Sequence, residues 1–302
     1  MYGKLVKSVS YIKRTYRIEA EIGSGGSGSV FMAWHTRLNK YVVIKVVENC
    51  SPEAIREHRN EVEALKNIKS LHIPLVLDFF IENDKSYTII EYINGMSFDK
   101  LLKTGRYFPE QQVINWYLKL ASTLELIHKL EICHRDIKPA NIMRTTAGDV
   151  CLIDFNSALV SGNYTGVISR SMGYASPEQY EYFKLCKKSH DVPATLHQDS
   201  PETALLTRDC ETIPLSSVNI TSCIGTHRID WKLSDIYSLG ATIYHFLTGK
   251  RPPVTAGDVE KILYLKGYSK GLLSAINKSM QTEPFKRFTS AGELYNKLID
   301  LL

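Results

Sequence analysis

The chain has 302 residues, 44% of them hydrophobic, and 37 basic against 32 acidic side chains leave a net charge of +5. That length supports a sizeable core in one large domain or two lobes, and so mild and dispersed a charge gives no argument for nucleic acid or a membrane surface as partner. No apolar run is long enough to span a bilayer, and Met1 to Lys7 hold no apolar signal core, so the chain reads as soluble and unexported.

Residues 1–15 are basic and irregular and read as a leader. From Tyr16 apolar and polar residues alternate as in a strand, Gly23-Ser-Gly25-Gly26-Ser-Gly28 follows, and alternation resumes through Val30, Met32 and Trp34. A GxGxxG run also opens dinucleotide sites, and Glu48 lies at a suitable distance, but that reading needs a helix at the third glycine. The alternation predicts a strand there instead, which favours a glycine hairpin folded over phosphates. No Gly-Lys-Ser/Thr follows, so a Walker loop is excluded.

Tyr41 to Val47 predicts a buried strand carrying one cation, Lys45, and a buried ammonium requires a partner anion. The segment from about Pro52 to Ile68 predicts a helix with an apolar stripe at Val62, Leu65 and Ile68, and it offers Glu57, Glu61 and Glu63 as partners. Glu61 stands one turn before Leu65 and so faces the interior with it. Strands are predicted at 75–81 and 87–91, a short helix at 98–102 and a long one at 109–130.

That long helix leads into Cys133-His134-Arg135-Asp136-Ile137-Lys138-Pro139-Ala140-Asn141-Ile142, followed by Leu152-Ile153-Asp154-Phe155-Asn156. Two carboxylates, a lysine and a carboxamide lie close together there, each bracketed by apolar residues that hold it against a core. Phosphoryl transfer from a nucleotide needs these types: a carboxylate for the hydroxyl proton, oxygen ligands for Mg²⁺, and cations on the phosphates. Asp136 can orient and deprotonate a hydroxyl, Lys138 can reach the transferring phosphate, and Asn141 and Asp154 offer hard oxygens. The residues alone therefore point to a two-lobed ATP and Mg²⁺ phosphotransferase with a hydroxyl acceptor.

The His-Arg-Asp-Ile-Lys-Pro-Ala-Asn string, Asp154-Phe155-Asn156, the glycine segment, Val-Ile-Lys45 and Ser176-Pro177-Glu178 together resemble the bacterial-type (Hanks-type, eukaryotic-like) serine/threonine protein kinases, over roughly residues 16–301. Lys138-Pro139 is similar to the serine/threonine branch of that family. The resemblance implies an α+β, bilobal protein-kinase fold: a small antiparallel β-sheet N-lobe with one long helix at 16–92, and a larger, mainly helical C-lobe at 93–302. It implies Asp136 and Lys138 as catalytic residues, with Lys45 paired to Glu61. ATP would be enclosed by Ile22, Gly23, Gly25, Gly28, Val30, Val43 and Lys45 above, by the hinge residues Ile90, Glu91 and Ile93 behind, and by Met143 below. Mg²⁺, or Mn²⁺ in its place, falls to Asn141 and Asp154. The acceptor becomes the serine or threonine of a protein.

Two positions depart from the family pattern. Val43 stands where alanine is usual, and Asn156 replaces a glycine, a substitution expected to tolerate a positive φ. The same resemblance makes Ser171 a contact of Asp136 and gives Glu178 the ion-pair partner Arg287. It also makes Arg135 a receiver for phosphate on the 156–174 loop, with Thr165 or Ser169 the expected autophosphorylation sites during transient self-association. An insertion at about 184–226 reads as a mobile loop or a docking surface. After it, Asp235 to Gly249 predicts a buried helix whose Asp235 accepts from the catalytic-loop backbone, and further helices are expected near 257–265, 269–280 and 289–301.

Six cysteines, at 50, 133, 151, 186, 210 and 223, form no CxxC pair and suit a reducing cytosol. Cys186, Cys210 and Cys223 with His190 and His197 match no closed zinc pattern. Two rival functions remain at this stage: a small-molecule kinase of related fold, and a nucleotide-binding scaffold without turnover.

Overall fold

A computed structural model describes residues 4–5, 10–25, 28–48, 55, 59, 62–160, 167–188, 210–214, 229–252, 265 and 267–302. The N-terminal lobe is built on β1 (Lys4–Leu5), β2 (Tyr11–Ile12), β3 (Tyr16–Gly25), β4 (Gly28–His35), β5 (Lys40–Val47), β6 (Val76–Glu82) and β7 (Lys85–Glu91). They form one antiparallel sheet in the order β1-β3-β4-β5-β7-β6, with β2 pairing β3. The strand period of two sets its faces. Val42, Ile44 and Val46 point into a core shared with Ala33 and Ile89, so the intervening Val43 and Lys45 point to the opposite face, where the cleft opens. Between β6 and β7, Asn83 and Asp84 both take positive φ, 51° and 56°, as a two-residue hairpin turn requires.

The helix expected over 52–68 is helical at Ile55, Arg59 and 62–65, then turns at 66–67. Ala64, Leu65 and Ile68 bury into the same cluster as Phe155. Glu57 and Glu61 lie outside the described residues. Glu63 pairs with Lys66 at 2.5 Å on the surface.

The second lobe begins with β8 (Gly95–Ser97), α1 (Phe98–Lys103) and α2 (Glu110–Lys129), followed by β9 (Ile132–Cys133), β10 (Ile142–Thr145), β11 (Val150–Leu152), β12 (Leu159–Val160) and β13 (Val167–Ser171). Then come α3 (Pro177–Lys188), β14 (Cys210–Pro214), α4 (Trp231–Thr248), α5 (Lys270–Ser279) and α6 (Ala291–Ile299). In α2, Val113, Ile114, Trp116, Tyr117, Leu120, Ala121, Leu124 and Ile127 repeat at helical spacing and are all buried. The stripe packs on α4 and α6. Among the described residues no helix is long and apolar enough to cross a membrane.

Three elements differ from expectation. Helix α4 starts at Trp231, four residues before Asp235, because the Asp230 side chain caps it by accepting from Lys232 N and Leu233 N at 3.0 and 3.3 Å. Helix α3 runs to Lys188 and so reaches into the stretch read as an insertion. That stretch also contributes a strand, β14, which pairs antiparallel with β13 from Val167↔Pro214 to Ser171↔Cys210. Five residues ending in proline carry too little pattern to announce a strand whose partner lies some forty residues earlier. The expected helix at 257–265 lies outside the described residues except at Leu265.

Arg287 closes the lower lobe. Its guanidinium, with no exposed side-chain surface, grips both oxygens of Glu178 at 2.6 and 2.8 Å and also donates to the carbonyls of Gln281, Leu233 and Thr282.

Candidate active site

A cavity of about 460 Å³ lies between the lobes. Its roof is Ile22, Val30, Val43 and Lys45, its rear Ile90, Glu91 and Ile93, and its floor Met143 with Asn141 and Asp154 beyond. The pairing Val43↔Ile90 places roof beside rear. Gly23, Gly25 and Gly28 shape the hairpin above it, through Gly23↔Val30 and Gly25↔Gly28, and among the described residues the wall is made by Ile22, Ser29 and Val30 instead. Gly28 has φ +112°, and any Cβ there would overlap the Val46 carbonyl oxygen. The chain leaves the sheet after Glu91, and among the described residues Ile93 makes no backbone–backbone hydrogen bond. Its N–H and C=O thus suit the edge of a planar heterocycle.

The Lys45 ammonium donates to Asp154 Oδ1 at 3.2 Å across the cleft. Asp154 sits at φ 66°, and its side chain keeps 37% of its surface exposed toward the cavity. Burial would raise the Asp154 carboxyl, but Lys45, Lys138 and His134 outweigh it and hold the group below the usual carboxylate range. Asn156, though of a type that tolerates positive φ, does not take one, and the left-handed residue of this turn is Asp154. Phe155 is fully buried and packs edge-on against the His134 ring at 4.6 Å. His134 Nδ1 accepts from Asp136 N at 3.3 Å, which leaves Nε2 as the donor to the Ile153 carbonyl at 3.1 Å.

Asp136 is enclosed by three side chains. Lys138 Nζ donates to Oδ2 at 2.8 Å, Ser171 Oγ donates to Oδ1 at 2.7 Å, and Asn141 Nδ2 donates to Oδ2 and to the backbone carbonyl at 3.0 and 2.9 Å. Asn141 therefore spends its amide nitrogen on Asp136 and keeps Oδ1 for a ligand. The loop itself hangs from Asp235, whose carboxylate accepts from the backbone N–H of His134 and of Arg135 at 2.8 Å each and bonds His128 Nε2 at 3.0 Å. Asp235 is wholly buried, so these three contacts compensate its desolvation.

Arg135 is buried as well: Nε donates to the Ser157 carbonyl at 2.6 Å, and the guanidinium lies 5.3 Å from the Trp231 ring. Burial lowers its pKa to about 10, which leaves it charged at neutral pH. Of the expected phosphate acceptors, Thr165 lies outside the described residues and Ser169 belongs to β13, opposite Thr212.

The structure thus brings Lys45, Asp136, Lys138, Asn141 and Asp154 to one cleft, while the place of Glu61 lies outside the described residues. Sequence reasoning missed Ser29 on the roof, and Met96, Ser97, Asp99 and Lys100 on the lower wall. The latter arrive because β8 pairs with β10, Ser97 opposite Met143, a contact between segments with no shared motif. Asn156 also lines the cavity, with a buried Oδ1 that receives no hydrogen bond among the described residues.

A model described as the protein kinase domain matches residues 16–194. The chain is 27% identical over 298 residues to a probable serine/threonine-protein kinase of Clostridium perfringens, covering 94% of this chain and 38% of the relative. It is 29% identical over 185 residues to the serine/threonine-protein kinase PrkC of Bacillus subtilis, covering 59% of this chain and 28% of PrkC. With the serine/threonine-protein kinase C of Synechocystis it shares 28% over 312 residues, covering 97% of this chain and 51% of the relative. The chain therefore spans about half or less of the length of these relatives. With a family model matched over more than half of its length and catalytic segments meeting at one cleft, the chain belongs to the protein kinase family.

Proposed function

We propose that this chain transfers the γ-phosphoryl group of ATP to serine and threonine hydroxyls of protein substrates in the cytoplasm. The observation that carries the reading is that Lys45, Asn141 and Asp154 line one cavity of nucleotide size while Asn141 and Lys138 both bond Asp136 next to it. The apolar roof and floor, Val30, Val43 and Met143, suit an adenine ring, and Lys45, oriented by Asp154, suits the inner phosphates. Asp136 accepts the hydroxyl proton of the acceptor, and Lys138 steadies the phosphate in transit.

The oxygen donors that remain, Asn141 Oδ1 and the exposed side of Asp154, fit Mg²⁺ and accept Mn²⁺ in its place, since both are hard cations served by carboxylate and carbonyl oxygen. When bound, such an ion neutralises charge on the phosphates. Ser171 places the 167–171 strand against Asp136, where a protein acceptor must present its hydroxyl. Transient pairing of two copies brings Thr165 or Ser169 of one to the site of the other, and mass spectrometry after incubation with ATP and Mg²⁺ reads that modification.

Transfer from γ-labelled ATP to a generic protein, compared between wild type and Asp136→Asn, tests the reading. Label on the protein from wild type alone is the expected result. Equal signals from the two leave a nucleotide-binding scaffold, and label found only on a small molecule leaves a metabolite kinase.

A further inference from the structure

Ser171 ends β13 with its Oγ 2.7 Å from Asp136 Oδ1, so the residues that follow it border the place where an acceptor hydroxyl must sit. The chain turns at once. The Ser171 carbonyl accepts from the N–H of Tyr174 and of Ala175 at 3.1 and 3.0 Å, and the Tyr180 hydroxyl accepts from Gly173 N at 3.1 Å. Gly173 takes φ +81° to make that turn.

The end of α4 lies on the same turn. Gly249 closes the helix at φ 66°, and two residues later the chain passes so close to Gly173 that a Cβ there would stand 2.9 Å from both Arg251 Cγ and the Pro252 carbonyl oxygen. Arg251 Cζ lies 5.9 Å from the Tyr174 ring, whose hydroxyl is fixed by a 2.6 Å hydrogen bond with His245 Nδ1. The Arg251 stem thus packs on the turn, yet the residue is exposed, as are its neighbour Lys250 and, on the turn itself, Met172. A turn of this kind spans less than roughly 7 Å between its end Cα atoms. The guanidinium therefore stands roughly 10–15 Å from Asp136, the reach of about three or four residues of extended peptide.

Three carboxylates around the turn are already engaged by cations. Glu178 is gripped by Arg287, Glu181 pairs with Lys184 at 2.7 Å, and Asp99, close enough to act on His245, pairs with Lys103 at 3.0 Å. The described surface beside the acceptor position thus presents arginine and lysine, and a guanidinium is shaped to take a carboxylate with two parallel hydrogen bonds.

We infer that Arg251 recognises an acidic side chain of the protein acceptor, placed within about four residues of the serine or threonine that is phosphorylated. The inference rests on the kinase reading above and gives that reading a substrate class.

The test is peptide phosphorylation by the full chain, with a serine acceptor in an otherwise neutral peptide and one Glu, or one Lys, scanned through the four positions on either side. The readout is the ratio of kcat/KM for each substituted peptide to that for the neutral one, taken within one enzyme, so that a change in overall activity cancels. Wild type is expected to favour Glu about fivefold at one position or two neighbouring ones, and to disfavour Lys there. Arg251→Lys keeps part of the preference, Arg251→Ala brings the Glu ratio to about one, and Arg251→Glu turns the preference to Lys. A wild type with no Glu preference above about twofold at any position, or an Arg251→Ala enzyme that keeps the wild-type ratio, overturns the inference. A wild type that labels neither the peptides nor a generic protein overturns the kinase reading itself, and the inference falls with it.

Discussion

Ser171 Oγ lies 2.7 Å from Asp136 Oδ1 while Lys138 Nζ reaches both partners, Asp136 Oδ2 at 2.8 Å and Ser171 Oγ at 3.1 Å. This closed triangle ties the carboxylate to a strand thirty-five residues later, so β13 adds to Lys138 and Asn141 in fixing the rotamer of the base. Asp136→Asn removes the proton acceptor but keeps the hydrogen-bonding shape. The expected loss in kcat is about 10²–10⁴-fold, with ATP affinity unchanged. Ser171→Ala leaves the carboxylate in position but looser, and a loss of about tenfold in kcat is expected. Steady-state kinetics with a protein substrate checks both, and a Ser171→Ala enzyme as fast as wild type would remove the triangle from the mechanism.

The Lys45–Asp154 pair sets a pH dependence. Asp154 is held below the usual carboxylate range in the folded protein, against the opposing push of burial. Its contribution to stability is therefore present above the unfolded value, about 3.9, and is lost as pH falls through the lower folded value. In Lys45→Met the largest lowering influence is gone while burial still pushes the carboxyl up, so Asp154 contributes less to folding at neutral pH. The stability gap between wild type and variant should thus be widest near neutrality and narrow on acidification. Urea unfolding midpoints measured from neutral to acid pH decide this, and a gap independent of pH would contradict it.

Arg287 and Glu178 make a different kind of pair. The guanidinium is wholly buried and bidentate, and three backbone carbonyls share its remaining donors. Removing it in Arg287→Ala strands the Glu178 carboxylate and those carbonyls, at an expected cost of about 3–5 kcal/mol. Removing both charges with Arg287→Met and Glu178→Leu is expected to cost less than the single change, because no buried charge is left alone. Chemical unfolding of Arg287→Ala, of Arg287→Met and Glu178→Leu singly, and of their double variant checks the order, and additive losses from the last three would mean that the pair is not coupled.

Much of the site could be read from local pattern. In the apolar strand predicted from Tyr41 to Val47 the period of two puts Val43 and Lys45 on one face, and the contiguous string from His134 to Asn141 needs only a short loop to aim its residues at one point. The parts that escaped depend on pairings between distant segments. The Ser157 carbonyl that accepts from Arg135 Nε and the Trp231 ring 5.3 Å from its guanidinium are contacts of this kind, since neither neighbour is near it in sequence. The left-handed residue of the turn, Asp154, is not legible either, because a residue type tolerant of positive φ, such as Asn156, does not disclose which position adopts it. The start of α4 rests on the Asp230 side-chain cap, and an aspartate ahead of an apolar run is a turn former as readily as a cap.

The β13–β14 ribbon was the least legible element, and it bears directly on the site. Ser171, the residue that holds Asp136, is the last residue of β13 and lies opposite Cys210. Without β14, β13 has no partner strand among the described residues. An isolated five-residue strand does not hold its shape in water. Replacing Thr212 and Ile213 with proline removes backbone donors from β14 and disfavours the ladder. The expected outcome is a drop of about ten- to a hundredfold in kcat/KM for a protein substrate, as Ser171 loses its fixed position, with the dissociation constant of an ATP analogue unchanged. Faster proteolytic cutting between α3 and α4 should accompany the loss. A doubly substituted enzyme with wild-type kcat/KM would mean that the Asp136 triangle organises β13 rather than the reverse.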